Sequence, residues 1–198
     1  MPMLDLVYLR KLQDKLHTYQ NMRRQVNIET DNILYNAKRA IFAMQRGQMS
    51  EAKNILSRLE SQLISMQKKY CHEAKIETEG CYRAALEEYV EATLLYQFLA
   101  TGQIGQIMKV KVEVEVYLAG LCDVLGELYR LAIQAGRHRD MVTIERCRGI
   151  GSVIIGELIA FNLTSYLRTK FDQAKQAMQK LEIVSYEVAL RLDSEVNS

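Results

Sequence analysis

The chain has 198 residues, 48% of them hydrophobic and 25% charged, which is enough for one domain with a substantial core and ordinary for a globular protein. A formal net charge of +2 excludes a strongly polyanionic or polycationic chain, and no apolar run reaches the length needed to cross a bilayer. The single proline, Pro2, leaves nothing inside the chain to break a helix, so the expectation is one all-α domain over residues 1–198, an antiparallel bundle of about six or seven helices.

Residues 4 to about 45 read as one long amphipathic helix, closed by Arg46-Gly47-Gln48. At roughly 1.5 Å rise per residue it would reach about 60 Å, more than a compact domain of this size needs, so packing against another subunit is expected. Between Met1 and Gln48, Arg10, Lys11, Lys15, Arg23, Arg24, Lys38, Arg39 and Arg46 stand against only Asp5, Asp14, Glu29 and Asp31. From Glu73 to Gln97 the balance reverses, with six acids against Lys75 and Arg83. A basic element beside an acidic one suits a polyanion meeting a metal, although charge clusters taken alone are more often solvated helix faces.

Ser50 is a good N-cap for a second helix running to about Tyr70. A third runs from about Glu79 to Ala100 and is closed by Thr101-Gly102-Gln103-Ile104-Gly105. The fourth follows a short connection, so it is expected to lie antiparallel beside the third. It ends near Ala135. A fifth helix from about Asp140 is expected to break or bend at Gly149-Ile150-Gly151 and resume to Phe161. Its tract GIGSVIIGELIAF is either core or a second interface between subunits. Thr164 or Ser165 then caps a last long helix ending near Asp193.

Cys71, Cys81, Cys122 and Cys147 form no CxxC pair, and only His17, His72 and His138 could assist them, so structural zinc is disfavoured. With no signal-peptide pattern, the expected setting is the cytoplasm, with reduced thiols and no membrane.

The fourth helix carries the chemistry. VYLAGLCDVLGELYRLAI, from Val116 to Ile133, holds only Asp123, Glu127 and Arg130 as charged residues. Steps of four and three put them on one stripe of an otherwise apolar helix. In the third helix Glu88 and Glu91 share a face that continues into Leu95 and Phe98, whereas Glu87 points elsewhere, toward solvent. Neighbouring helices can therefore bring four carboxylates together. Such a cluster repels itself, and hard divalent cations relieve it; all-oxygen ligands favour Mg²⁺ or Mn²⁺. Ordinary ion pairs with Arg83, Arg130 and lysines would also satisfy these acids. A ferritin-like di-iron site needs Glu-x-x-His, which is absent. All-α nucleoside triphosphate pyrophosphatases use ExxE followed by ExxD, whereas the second pair here is Asp123-x-x-x-Glu127.

EEYVEA at 87–92, followed by VEVYLAGLCDVLGELYRLAI at 114–133, resembles the translin superfamily, most of all its translin-associated factor X branch in archaeal-type form. AKRAIFAMQR at 37–46 and KLEIVSYEVALR at 180–191 are similar to the family's first and last helices, and the weakest stretch is about 47–79. The resemblance implies a translin-like bundle, a hollow oligomer enclosing RNA, and, for the factor X branch, Mg²⁺-dependent endoribonuclease activity. Glu88, Glu91, Asp123 and Glu127 fall on that branch's catalytic pattern and would hold the metal. The compact form, with no basic localisation run, implies self-assembly, as a hexamer to octamer.

The expected function is thus RNA cleavage dependent on Mg²⁺ or Mn²⁺, with Lys38 and Arg39 positioning phosphates and Arg130 partnering the acids. Arg137 and Arg139 are the alternative phosphate contacts. The rival readings are a non-catalytic binder of single-stranded RNA or DNA, a nucleoside triphosphate pyrophosphatase, and a purely structural helical oligomer.

Overall fold

The computed structural model describes residues 4–71, 73, 76 and 79–196; Pro2, His72, Lys75 and Glu77 lie outside them. Six helices are described: α1 (Leu6–Gln45), α2 (Met49–Lys69), α3 (Gly80–Thr101), α4 (Val114–Arg137), α5 (Met141–Ile159) and α6 (Ser165–Val196). The all-α bundle read from the sequence is the architecture observed.

Each helix end has a local cause. Asp5 caps α1 by accepting from the Tyr8 amide at 2.9 Å. The C-terminus of α1 is a Schellman turn: Gly47 has φ 72°, its amide donates to the Met44 carbonyl, and Gln48 N donates to the Ala43 carbonyl. That turn feeds the chain straight into α2, so Ser50 lies inside the first turn rather than at the cap expected for it. Gly102, at φ 78°, closes α3 by donating to the Phe98 carbonyl at 2.8 Å. Helix α5 runs unbroken through Gly149 and Gly151 and stops at Ile159. The expected break is absent because Gly151 serves close packing: a Cβ there would sit 2.8 Å from Met178 Sδ and 3.1 Å from Leu125 Cδ1.

Cross-helix pairs give the directions. Lys69 reaches Glu29, and Arg39 lies near Glu51, so α2 runs back along α1. Gln67 reaches Tyr82, so α3 turns back along α2. Gly151 against Leu125 and Met178, with Ser185 on Glu145, does the same for α4, α5 and α6. The junction between these two three-helix units differs. Arg83 pairs with Glu115 at 2.7 Å, near the starts of both helices, and Gly120 lies against Val90 further along both. Helices α3 and α4 are therefore parallel, not antiparallel as their short connection suggested. Residues 102–113 are all non-helical and run back along α2, where Lys109 pairs with Glu60 and Lys111 N donates to Gln67. Twelve extended residues reach about 40 Å, which covers the roughly 33 Å length of α3.

The core gathers Ile33, Leu59, Leu63, Leu94, Leu95, Leu125, Leu128, Leu158 and Leu181, each fully enclosed. Helix α4 packs against α3, α5 and α6 and is buried on most sides, as its composition predicts. The first half of α1 is different: its first buried residue is Val26, and Leu6, Leu9, Leu12 and Leu16 are exposed. The GIGSVIIGELIAF tract divides, with Ile154 and Leu158 in the core and Val153, Ile159 and Phe161 exposed. Among the described residues no helix is long and apolar enough to cross a membrane.

Gly120 sets the α3–α4 distance. A Cβ there would fall 2.6 Å from Val90 Cγ1 and 3.0 Å from the Glu87 carbonyl oxygen, and a backbone atom cannot swing aside. Gly120→Ala should therefore lose about 1–3 kcal/mol of stability in urea unfolding. Gly126→Ala, two turns on, meets nothing within 4 Å and should gain about 0.5–1 kcal/mol from helix propensity alone.

Candidate functional site

The three positions where α1, α3 and α4 face one another build an acidic cleft of about 460 Å³. Lys38, Ile41 and Phe42 of α1, Glu88 and Glu91 of α3, and Glu127 and Arg130 of α4 line it. Asp123 stands behind this lining, within electrostatic reach of Glu91 and Glu88. Three of the four carboxylates singled out in the sequence thus line one cleft, with Asp123 in electrostatic reach, and a parallel pair of helices rather than an antiparallel one places them.

Their surroundings differ. Lys38 Nζ lies 3.9 Å from Glu88 Oε2. Burial pushes the Glu88 carboxyl up, Lys38 opposes that, and the Asp123 and Glu127 charges add to it. Glu127 accepts from the Gln45 amide and has Arg130 Nη1 at 3.6 Å; burial raises its pKa and both neighbours pull it back. Glu91 is only 8% exposed and makes no hydrogen bond or ion pair among the described residues. Burial first, then the charges of Asp123, Glu88 and Glu127, push it up to about 9. A carboxyl this enclosed holds its proton at neutral pH unless a cation arrives.

Four participants were not visible in the sequence. Glu87, expected in solvent, is 8% exposed. It accepts from the Tyr166 hydroxyl at 2.7 Å and lies 3.6 Å from Lys170 Nζ. Lys170 donates to Asp123 Oδ2 at 2.5 Å. Burial works against the Lys170 charge, but the Asp123 hydrogen bond and charge outweigh it and raise its pKa above the ordinary value. Nothing in the local pattern of α6 marks Tyr166 or Lys170, because their partners lie 79 and 47 residues away. Gln45, at the end of α1, gives no pattern either.

The structure separates Lys38 from Arg39. Lys38 is at the cleft, whereas Arg39 turns to α2, 3.9 Å from Glu51, in a groove it shares with Arg58.

The donor set, carboxylates only, suits a hard divalent ion, and Glu91 is a buried carboxyl with no hydrogen bond or ion pair among the described residues. Among the described residues, however, no three acids, cysteines or histidines are gathered at ligating distance. The reason is electrostatic: Asp123 is drawn to Lys170, Glu127 to Gln45 and Arg130, and Glu88 to Lys38.

Fold and cleft together define an all-helical bundle with a carboxylate-lined crevice. The Translin family model matches residues 10–192, and the chain belongs to the Translin family. A solved structure of AfC3PO in complex with duplex RNA is similar to it with TM-score 0.81 and 19% identity, over 93% of this chain and 97% of that one. Apo-NeC3PO gives 0.83 and 19%, over 95% and 100%. A search of curated proteins finds no match.

The Glu91 proton makes a measurable pH dependence. Below about pH 4.5, the ordinary glutamate value, folded and unfolded chains both hold it. Between there and about 9 the unfolded chain releases it and the folded chain does not, so stability falls as pH rises. Metal-free Glu91→Gln should therefore gain several kcal/mol over wild type at pH 8, up to about 5, and almost nothing at pH 4.5, read from urea unfolding at both values.

Proposed function

We propose that this chain is a metal-dependent endoribonuclease that binds RNA across the acidic cleft. The observation that carries the reading is the convergence of Glu88, Glu91 and Glu127 on one open cleft with Asp123 beside them, at the positions that resemble the factor X catalytic pattern. Membership of the Translin family and the similarity to AfC3PO, which has been solved with duplex RNA, support RNA as the ligand.

The four carboxylates would hold Mg²⁺ or Mn²⁺. When bound, such an ion supplies Lewis-acid stabilisation of charge on the scissile phosphate. The rest falls to the chain itself. Lys38 and Arg130, at the rim among the acids, position the phosphate backbone. Gln45 and Arg130 orient Glu127 through its two oxygens. Glu91 holds a proton on its carboxyl in the metal-free state and lends its charge only when a cation compensates it.

The chain also assembles with itself in this reading, as six to eight copies. The exposed leucines on the first half of α1 form an apolar stripe that a partner would cover. A second reading, non-catalytic RNA binding, draws on the acids being turned to Lys170, Gln45 and the basic residues rather than gathered for a metal.

Cleavage of a labelled RNA decides between the two. Wild type should cut in Mg²⁺ or Mn²⁺ and stop in EDTA. Glu88→Gln and Asp123→Asn should each lower cleavage about 100-fold or more, with helical content and RNA affinity retained. Full activity in either variant, or after exhaustive chelation, removes the metal site from the reaction. Hydrolysis of free nucleoside triphosphates without RNA cleavage would instead identify a pyrophosphatase.

Binding has its own test. The Lys38→Ala, Arg39→Ala double variant should bind all RNA sequences more weakly, and its log affinity against log salt should flatten by roughly 1–2. Since Lys38 alone faces the cleft, most of the change should appear in the Lys38 single variant. An unchanged affinity and slope would place the phosphate contacts elsewhere, with Arg137 and Arg139 next in line.

A further inference from the structure

Lys170 stands where a metal would be expected to draw its ligands. Its Nζ is 2.5 Å from Asp123 Oδ2 and 3.6 Å from Glu87 Oε2. Tyr166, one turn earlier on α6, donates to the same Glu87 oxygen at 2.7 Å, and its ring centroid lies 5.5 Å from the ammonium. The Lys170 side chain is only 18% exposed, so this is a built contact and not a surface encounter. The other charged groups that feel it are Glu88 and Glu91 on α3; Glu127 and Arg130 of α4 and Lys38 of α1 line the same acidic cleft as these two acids. Glu91, more than nine-tenths buried and with no hydrogen bond or ion pair among the described residues, lines the open cleft and feels both Asp123 and Lys170.

We propose that Lys170 is the resident counter-cation of the acidic site, holding Asp123 in the metal-free protein, and that a divalent ion binds by exchange with its ammonium. The inference rests on the metal reading above. Lys170 occupies one oxygen of Asp123, Oδ2; a divalent ion that takes that oxygen repels the ammonium at a few ångströms, and the ion bound to more carboxylates is held more strongly. The lysine has a flexible four-carbon stem and a second acceptor in place. Glu87 already lies within 4 Å and opens onto another cleft, of about 530 Å³, lined also by Arg83, Glu115 and Tyr166. The ammonium can therefore pass from Asp123 to Glu87 and remain paired. This assigns Glu87 and Tyr166 a function: they are the receiving station that keeps Lys170 near the site while Asp123 is released.

Calorimetric titration with Mn²⁺ tests the exchange on wild type, Lys170→Met and Lys170→Arg. Lys170→Met, which has no competing charge, should bind Mn²⁺ about tenfold more tightly than wild type, and Lys170→Arg should stay near wild type. Wild-type binding with equal or weaker binding by a folded Lys170→Met overturns the exchange and leaves the metal site standing. No Mn²⁺ binding by any of the three overturns both. Because removing Lys170 strands the buried Glu87 and the half-buried Asp123 and so puts folding at risk, wild type supplies a second readout. In acetic anhydride labelling followed by peptide mass spectrometry, Lys170 should be protected relative to exposed Lys11 without metal and several-fold more reactive in saturating Mg²⁺. Reactivity unchanged by Mg²⁺ overturns the proposal.

Discussion

The contact of Gly120 with Val90 and the Glu87 carbonyl governs the middle of this molecule. Only a residue without a Cβ lets α3 and α4 approach so closely. That approach fixes which turns face each other. One turn beyond it on α4 stands Asp123, and one turn along α3 stands Glu91, so the close contact and the acidic cluster are consecutive layers of one interface. The parallel direction of the two helices follows from the crossover at 102–113, which Gln67, Tyr117 and Glu60 pin along its length. A tight turn at Gly102 would have reversed α4 and changed every facing pair.

Layering carboxylates at a helix interface creates an electrostatic problem, and the surrounding side chains answer it in different ways. Asp123 and Glu87 share Lys170, Glu127 takes Gln45 and Arg130, and Glu88 takes Lys38 at longer range. Glu91 receives nothing and keeps its proton instead. The site is therefore balanced by cations contributed from α1, α4 and α6, three elements that meet only in the folded chain. A fold held this way has low intrinsic preference for an empty, fully ionised site, which is why its acids point to different partners.

The projecting first half of α1 belongs to a different scale of organisation. Its leucines are exposed among the described residues, while its basic residues continue toward Lys38 at the acid cleft. One helix thus joins an apolar stripe suited to a second copy with the edge of the site. In the reading proposed here, assembly and RNA binding are geometrically linked.

Much was legible in the sequence. Absence of internal proline and long 3.6-residue periods determined the helices, glycines marked the ends of α1 and α3, and spacing put Glu88 with Glu91 and Asp123 with Glu127 on shared faces. These are properties of neighbours along the chain, and local geometry is enough to read them. Other features depended on the tertiary structure. The α3–α4 direction turned on whether residues 102–113 fold tightly or extend, which side-chain anchors on α2 decide. Gly151 read as a break because its packing partners, Leu125 and Met178, are remote. Glu87 read as solvated because Tyr166 and Lys170, which bury it, lie on another helix. Periodicity reports which face a residue occupies; it does not report what a distant element places against that face, and at this site Lys170 came from another helix 47 residues along the chain from Asp123.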